Sequence, residues 1–332
     1  MSDRPKGITR RSLLGGVAAG AAAVALGPRL AFGGPPAQVA TKARLVRVES
    51  DRIWRGDERD PRVVAAMVDR GLMALTGATT VTAAWGRFVK PELRVGLKIN
   101  VLGRPLIYTA PEITDAMIVG LIAAGVKPAN LVVWDRWPPH FLPTRYQLGT
   151  GKHGERIEHG ASYHKTIALK GSKGSAALAT MLTDATDVTI NLPVLKDHRM
   201  AGVTLALKNI AFGCYDHYKD AHEGHCEPFI AEAYQHCVAH AKIPLHVMDA
   251  TSACFDDGPR PSGADRLWRE NAIYFATDPV ALDVAGRAVL MAKRKAKGLP
   301  DKTRDARHIE AASQKGLGVG DPARIEVVTI KV

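Results

Sequence analysis

Residues 191–209 read NLPVLKDHRMAGVTLALKN, and they put unusual chemistry at the end of an apolar run. Val188, Ile190, Leu192 and Val194 have the character of a buried strand, after which Lys196, Asp197, His198 and Arg199 arrive together, with Lys208 and Asn209 in a helix-like stretch beyond. Lysines can neutralise a carboxylate or phosphate. A lysine held among other cations has a lowered pKa and can serve as base or nucleophile. His198 is the natural proton shuttle beside it, and the spacing pairs Lys196 with His198 as acid and base. Backbone N–H groups at a helix start near Gly202 would add fixed donors for an anion.

A second constellation is made of histidine and cysteine. Half of the twelve histidines lie between His217 and His246. His222, His225 and Cys226 precede a helix on which His236 and His240 share a face. Nitrogen and sulfur ligands of this kind suit a transition metal such as zinc, copper or iron. There is no CxxC pair, no zinc-finger spacing and no ferredoxin-type iron–sulfur motif. All four cysteines fall between Cys214 and Cys254, which leaves one or two disulfides open as pairings.

The elements that must position these groups alternate between strand and helix patterns. Strands are expected over 43–49, 93–100, 130–136, 186–196, 244–250, 271–276 and 324–330. Helices are expected over 61–77, closed by glycine, over 111–126, and from Asp278-Pro279 onward to about 295. The order predicts an α/β fold, a mostly parallel sheet with helices on both faces, as one main domain. In such sheets ligands collect at the carboxyl ends of the strands. That rule selects Lys98 and Asn100, Asp135 and Arg136, Asn191, Lys196 and His198, Asp249, and Asp278 from five separate strands. Asp249, Asp278 and Asp283 would hold a metal or orient the lysines. The stretch 137–165, rich in Gly, Pro and His, reads as a long binding loop or lid. The basic run 292–307 reads as a solvated helix end and turn.

Composition sets limits on the partner. The 332 residues carry a formal net charge of +12, but the first 33 contribute five basic residues against Asp3 alone, so +8 remains for the rest. That charge is dispersed and favours anionic small molecules. No basic region or aromatic-studded sheet motif points to nucleic acid. A P-loop and a GxGxxG fingerprint are both absent. At the N-terminus, Thr9-Arg10-Arg11-Ser12-Leu13-Leu14 precedes a mildly apolar run ending at Pro28. This predicts a twin-arginine export signal over 1–33, cleaved after Ala31-Phe32-Gly33, with the twin-arginine translocase as partner and the periplasm as destination. The run is too short to span a membrane stably.

The blocks VGLKIN (95–100), INLPVLKDHRMAGVTLALKNIAFG (190–213), TDPVALD (277–283) and GLGVGDPARIEV (316–327) resemble the bacterial and archaeal family called domain of unknown function 362. Members often carry Lys-Thr-His where this chain has Lys196-Asp197-His198. The resemblance covers most of 43–332 and implies an α/β fold with a shared site at the strand ends. It implies no reaction. Some relatives carry a fused ferredoxin module, and this sequence has none.

The expectation is thus an exported α/β protein, an enzyme acting on an anionic small molecule. Lys196, His198 and Lys98 would be catalytic, and Asn100, Asn191, Lys208, Asn209 and Asp249 would bind the ligand. The alternative is a periplasmic metal- or cofactor-binding protein without turnover, built on His222, His225, Cys226, His236 and His240.

Overall fold

The computed structural model describes residues 42–171, 174–216 and 220–332. The export signal expected over 1–33, its cleavage point and His217 lie outside the described residues. Among the described residues no helix is long and apolar enough to cross a membrane.

Strands rich in Val, Ile and Leu assemble into a mixed, mostly parallel sheet of twelve. Its main path runs Ile325–Lys331, Ala43–Glu49, Ala272–Ala276, Leu245–Cys254, Val188–Asn191, Val95–Lys98, Leu131–Asp135, Arg156–His159, Gly149–Thr150. The stretch from Leu245–Cys254 to Arg156–His159 is parallel throughout. All of its carboxyl ends therefore open on one edge.

Helices cover both faces, as the alternating pattern predicts. Pro61–Thr76 and Pro111–Ala123 pack on one face, against Val95, Leu97, Ile99, Val188, Ile190, Leu245 and Val247. Ala206–Ala211, Phe229–His240, Pro279–Ala296 and Arg307–Gln314 pack on the other. Strand periodicity of two then dictates which polar groups face the second layer. Lys98, Asn191 and His246 are register neighbours on three adjacent strands, so they form a polar row beneath the helix Ala206–Ala211.

Several local expectations need correction. The strand expected over 186–196 is two strands, Val188–Asn191 and Val194–His198, separated at Leu192-Pro193. Proline brings no N–H to a ladder, so it suits the break. Gly202 does not start a helix. It opens the strand Gly202–Thr204, which folds back antiparallel on Val194–His198. The loop expected over 137–165 contains Gly149–Thr150 and Arg156–His159, which extend the sheet at its edge. All four cysteines are buried free thiols, so no disulfide forms.

The basic run 292–307 is not wholly solvated either. Arg294 is buried and donates to Asp256 at 2.7 Å. Lys302 donates to the buried carboxylate of Asp197 at 2.8 Å. Asp197 also accepts from Gly258 N at 2.7 Å, so it ties the strand end to the chain's last third. An unpaired charge there would be expensive, and two cations offset it.

Candidate functional site

The carboxyl edge of the parallel strands, the Ala206–Ala211 helix and the loop at Pro259 enclose a cavity of about 570 Å³. Of the residues expected at the site, Lys98, Asn100, His198, Lys208 and Asn209 line it. Among the described lining residues five side chains are cationic (Lys98, Arg136, Arg199, Lys208, Arg260) and one, Asp135, is a carboxylate. Leu102, Met200, Phe212 and Pro259 give the lining apolar surface as well.

Lys98 ends its strand and its ammonium is saturated. It donates to Ile99 O at 2.7 Å and Asp135 Oδ1 at 2.8 Å, and reaches Asn209 Oδ1 at 3.4 Å. Burial works to raise the Asp135 pKa, but Lys98 and the amides of Val101 and Arg136 outweigh it and hold the carboxyl below its ordinary value. Lys98 and Asp135 thus neutralise each other within the wall. With three acceptors around its ammonium, Lys98 is tied to Ile99 O, Asp135 and Asn209 and anchors the wall of the cavity.

Around this pair runs a closed amide network. Asn100 Nδ2 donates to Asn209 Oδ1 at 2.9 Å, and Asn209 Nδ2 donates to Asn191 Oδ1 at 2.7 Å. Asn191 Nδ2 donates to Ala206 O at 3.0 Å and meets His246 Nδ1 at 3.0 Å. Asn191 and His246 lie wholly within the protein, below the cavity. Asn191 therefore supports the helix that carries Lys208 and does not line the cavity, contrary to expectation.

Lys196 is displaced from the role expected of it. It is fully buried behind the wall, and its ammonium donates to Asn100 Oδ1 at 2.7 Å. Burial lowers its pKa to about 8, with Cys254 and Asp135 acting in the opposite sense. Asp249 likewise turns away from the cavity. Its Oδ2 accepts from Ala110 N at 2.8 Å, and its Oδ1 accepts from Thr251 N and Oγ1 at 2.9 and 2.7 Å. Asp283 accepts from Ala206 N and Leu207 N, closing the very helix N-terminus that was expected to meet an anion. Asp278 caps its own helix and accepts from Val319 N. The three aspartates organise backbone and do not meet at a metal.

His198 and Lys208 are the groups that remain available. His198 ends its strand, and its Nδ1 accepts from Met200 N at 3.1 Å and Ala201 N at 3.0 Å. Two N–H groups aimed at Nδ1 require an unprotonated nitrogen there, which places the ring proton on Nε2. Burial, then Lys208 and His222, push the His198 pKa far below the imidazole range, so the ring stays neutral. His198 is thus a fixed donor, with His222 stacked on it at 5.7 Å between centroids. It is not the proton-accepting member of a pair.

Lys208 is buried, lies 3.2 Å above the Phe212 ring centroid, and lines the cavity. Among the described residues no carboxylate lies within ion-pair range of it. Burial lowers its pKa to about 8; Lys196 adds to this and Cys226 opposes it. A buried cation without a counter-charge is costly, and a bound anion would remove that cost.

The histidine and cysteine set does not converge. His236 Nδ1 meets Tyr215 OH at 2.8 Å, and His225 Nδ1 meets Met200 O at 3.0 Å. His222 belongs to the cavity, His240 lies tilted against His236 at 4.6 Å between centroids, and Cys226 is buried beside Lys208. Among the described residues no group of three or more His, Cys, Asp or Glu is placed to hold a metal. The metal set expected from His222, His225, Cys226, His236 and His240 is therefore not assembled.

Phe212 and Arg260 line the cavity without any signal in the sequence, whereas Arg199 and His222 line it although the sequence suggests other roles for them, a charged strand end and a metal set.

Residues 95–288 match the family described as domain of unknown function (DUF362). The chain belongs to that family. The matched segment contains the whole cavity lining, from Lys98 to Arg260. A search of curated proteins finds no match. A crystal structure of a Thermotoga maritima protein from the Northeast Structural Genomics Consortium is similar over 79% of this chain, at 9% identity and a TM-score of 0.41. The chain spans 60% of that protein's length.

Proposed function

We propose that the cavity binds an anionic small molecule, with Lys208 as its counter-charge and the Nε2–H of His198 as a second donor. The observation that carries this reading is Lys208 itself, a buried cavity-lining cation with no carboxylate in ion-pair range among the described residues. The asparagine network and the Lys98–Asp135 pair hold the floor rigid beneath it.

The same lysine is suited to proton transfer. A pKa of about 8 leaves both protonation states populated near neutrality, as a general acid or base requires. We therefore read the protein as an enzyme acting on its anion, with Lys208 in the place first given to Lys196. His198 orients the substrate and steadies negative charge on it. Export through the twin-arginine route, on the strength of Arg10-Arg11 and the apolar run after them, belongs to the same reading.

Calorimetric titration with inorganic phosphate and with succinate tests the binding claim. Saturable binding that disappears in Lys208→Met is expected. Binding that survives in Lys208→Met, or none in either protein, would overturn it.

A further inference from the structure

The cavity has a deep end and an open end, and large apolar side chains stand at the open one. Lys208 is only 4% exposed, whereas Trp137 and Met200, which line the same cavity, are 42% and 43% exposed. Single exposed apolar residues are ordinary on any surface, but several around one opening mark a binding surface. Leu142, 74% exposed, belongs to the same segment as Trp137. Its carbonyl accepts from Arg104 Nε at 2.8 Å, which joins that segment to the loop bringing Leu102 into the lining. The rim is also tied to the anion seat by the chain itself. The Met200 amide is one of the two that hold His198 Nδ1, at 3.1 Å, so one turn fixes the His198 donor and carries the Met200 side chain. Trp137 follows the strand Leu131–Asp135, and its ring is held by Arg136 at 4.5 Å from its centroid and by His140 at 5.2 Å between centroids. A small inorganic anion at Lys208 would leave these rim side chains facing water. A hydrocarbon group attached to that anion would cover them, and covering apolar surface is favourable.

We propose that the ligand is an amphiphile, an anionic group seated at Lys208 and His198 that bears a hydrocarbon chain leaving the cavity past Trp137 and Met200. This rests on the anion-binding reading above and names the substrate class within it. A cavity of about 570 Å³ has room for the head group and several carbons. Methionine is unbranched and adapts to chains of differing shape, and the Trp137 ring offers a flat apolar wall. A free amphiphile and a membrane lipid share this chemistry.

A chain-length series tests it. Methyl, butyl, hexyl and octyl phosphate, kept below their micellar concentrations, are titrated calorimetrically beside inorganic phosphate into wild type, Trp137→Ser, Met200→Ser and Lys208→Met. Affinity in wild type should rise about two- to fourfold per added methylene until the chain passes the rim. The rise is taken within each protein, so a change in head-group affinity does not enter it. Trp137→Ser and Met200→Ser should each flatten it, and Lys208→Met should abolish binding of the whole series. Affinity that is flat with chain length while inorganic phosphate binds, or a rise untouched by both rim variants, overturns the amphiphile and leaves anion binding at Lys208 intact. Absence of binding by every phosphate overturns both. Flotation with phosphatidic acid vesicles separates the two sources. Capture that is lost in Lys208→Met assigns the chain to a membrane lipid, and no capture beside an intact rise assigns it to a free amphiphile.

Discussion

Lys196 donates to Asn100 Oδ1 at 2.7 Å from behind the cavity wall, so the lysine that the sequence makes most conspicuous reaches the cavity only through an asparagine. Asn100 in turn donates to Asn209 on the helix that bears Lys208. The Lys-Asp-His run thus divides its work. Lys196 positions Asn100, Asp197 ties down the C-terminal third, and His198 alone of the three faces the cavity.

Burial of Lys196 gives its unfolding a particular pH dependence. Its folded pKa of about 8 lies below the ordinary lysine value of 10.5. Between those values the unfolded chain binds more protons, so the contribution of Lys196 to stability rises with pH. Below pH 8 both states are protonated and the full desolvation cost is present. The unfolding free energy of wild type minus that of Lys196→Met should be flat below pH 8, then rise by on the order of 3 kcal/mol by pH 10.5. Denaturant titrations at several pH values check this, and a flat difference would refute it.

Anion affinity should follow the protonation of Lys208. A bound anion requires the ammonium, whose pKa in the free protein is about 8. Affinity should be constant from pH 6 to near 8 and then fall about tenfold per unit as the proton is lost. No step is expected between pH 6 and 7, because His198 is neutral throughout that range. Calorimetry across this range measures it. A step near pH 6.5 would assign the charge to a histidine.

Asn209→Ala should be costly beyond its size. The side chain satisfies Asn100 Nδ2 and Asn191 Oδ1, both buried. Each orphaned group costs about 1–3 kcal/mol, so a loss of roughly 2–6 kcal/mol is expected in urea unfolding.

Gly213 is held to glycine by its neighbours. A Cβ there would stand 2.4 Å from Asn209 O and 2.5 Å from Lys98 Cε. Backbone cannot yield cheaply, so Lys98 must move, which disturbs its pair with Asp135. Gly213→Ala should lower stability by roughly 1–3 kcal/mol and weaken anion binding in the same protein. Unchanged binding would show that the Lys98–Asp135 pair does not shape the cavity.

The architecture was legible because it depends on patterns the chain carries openly. Leu97 and Ile99, Ile190 and Leu192, and Leu245 and Val247 alternate with polar partners, and that alternation alone puts Lys98, Asn191 and His246 on one face. The rule that ligands meet strand ends points to Lys98, Asn100 and His198, and the helix pattern to Lys208 and Asn209, all of which line the cavity. What stayed hidden was the use of each group. Asp249 and Asp283 are spent on backbone amides of Ala110, Thr251, Ala206 and Leu207, partners that only the folded chain brings near. Arg294 in a basic run looks solvated until the fold sets Asp256 against it. Histidines close in sequence suggest a metal set, yet Tyr215 and Met200 O claim His236 and His225 separately.

The claim that Lys208 and His198 form an anion site is tested most directly with a bromide soak. Crystals of wild type and of Lys208→Met, soaked in sodium bromide and measured at the bromine edge, would show where an anion settles. An anomalous peak inside the cavity, in contact with Lys208 Nζ and His198 Nε2 and absent from Lys208→Met, is the predicted result. Peaks confined to surface lysines and arginines, with nothing at Lys208, would contradict it.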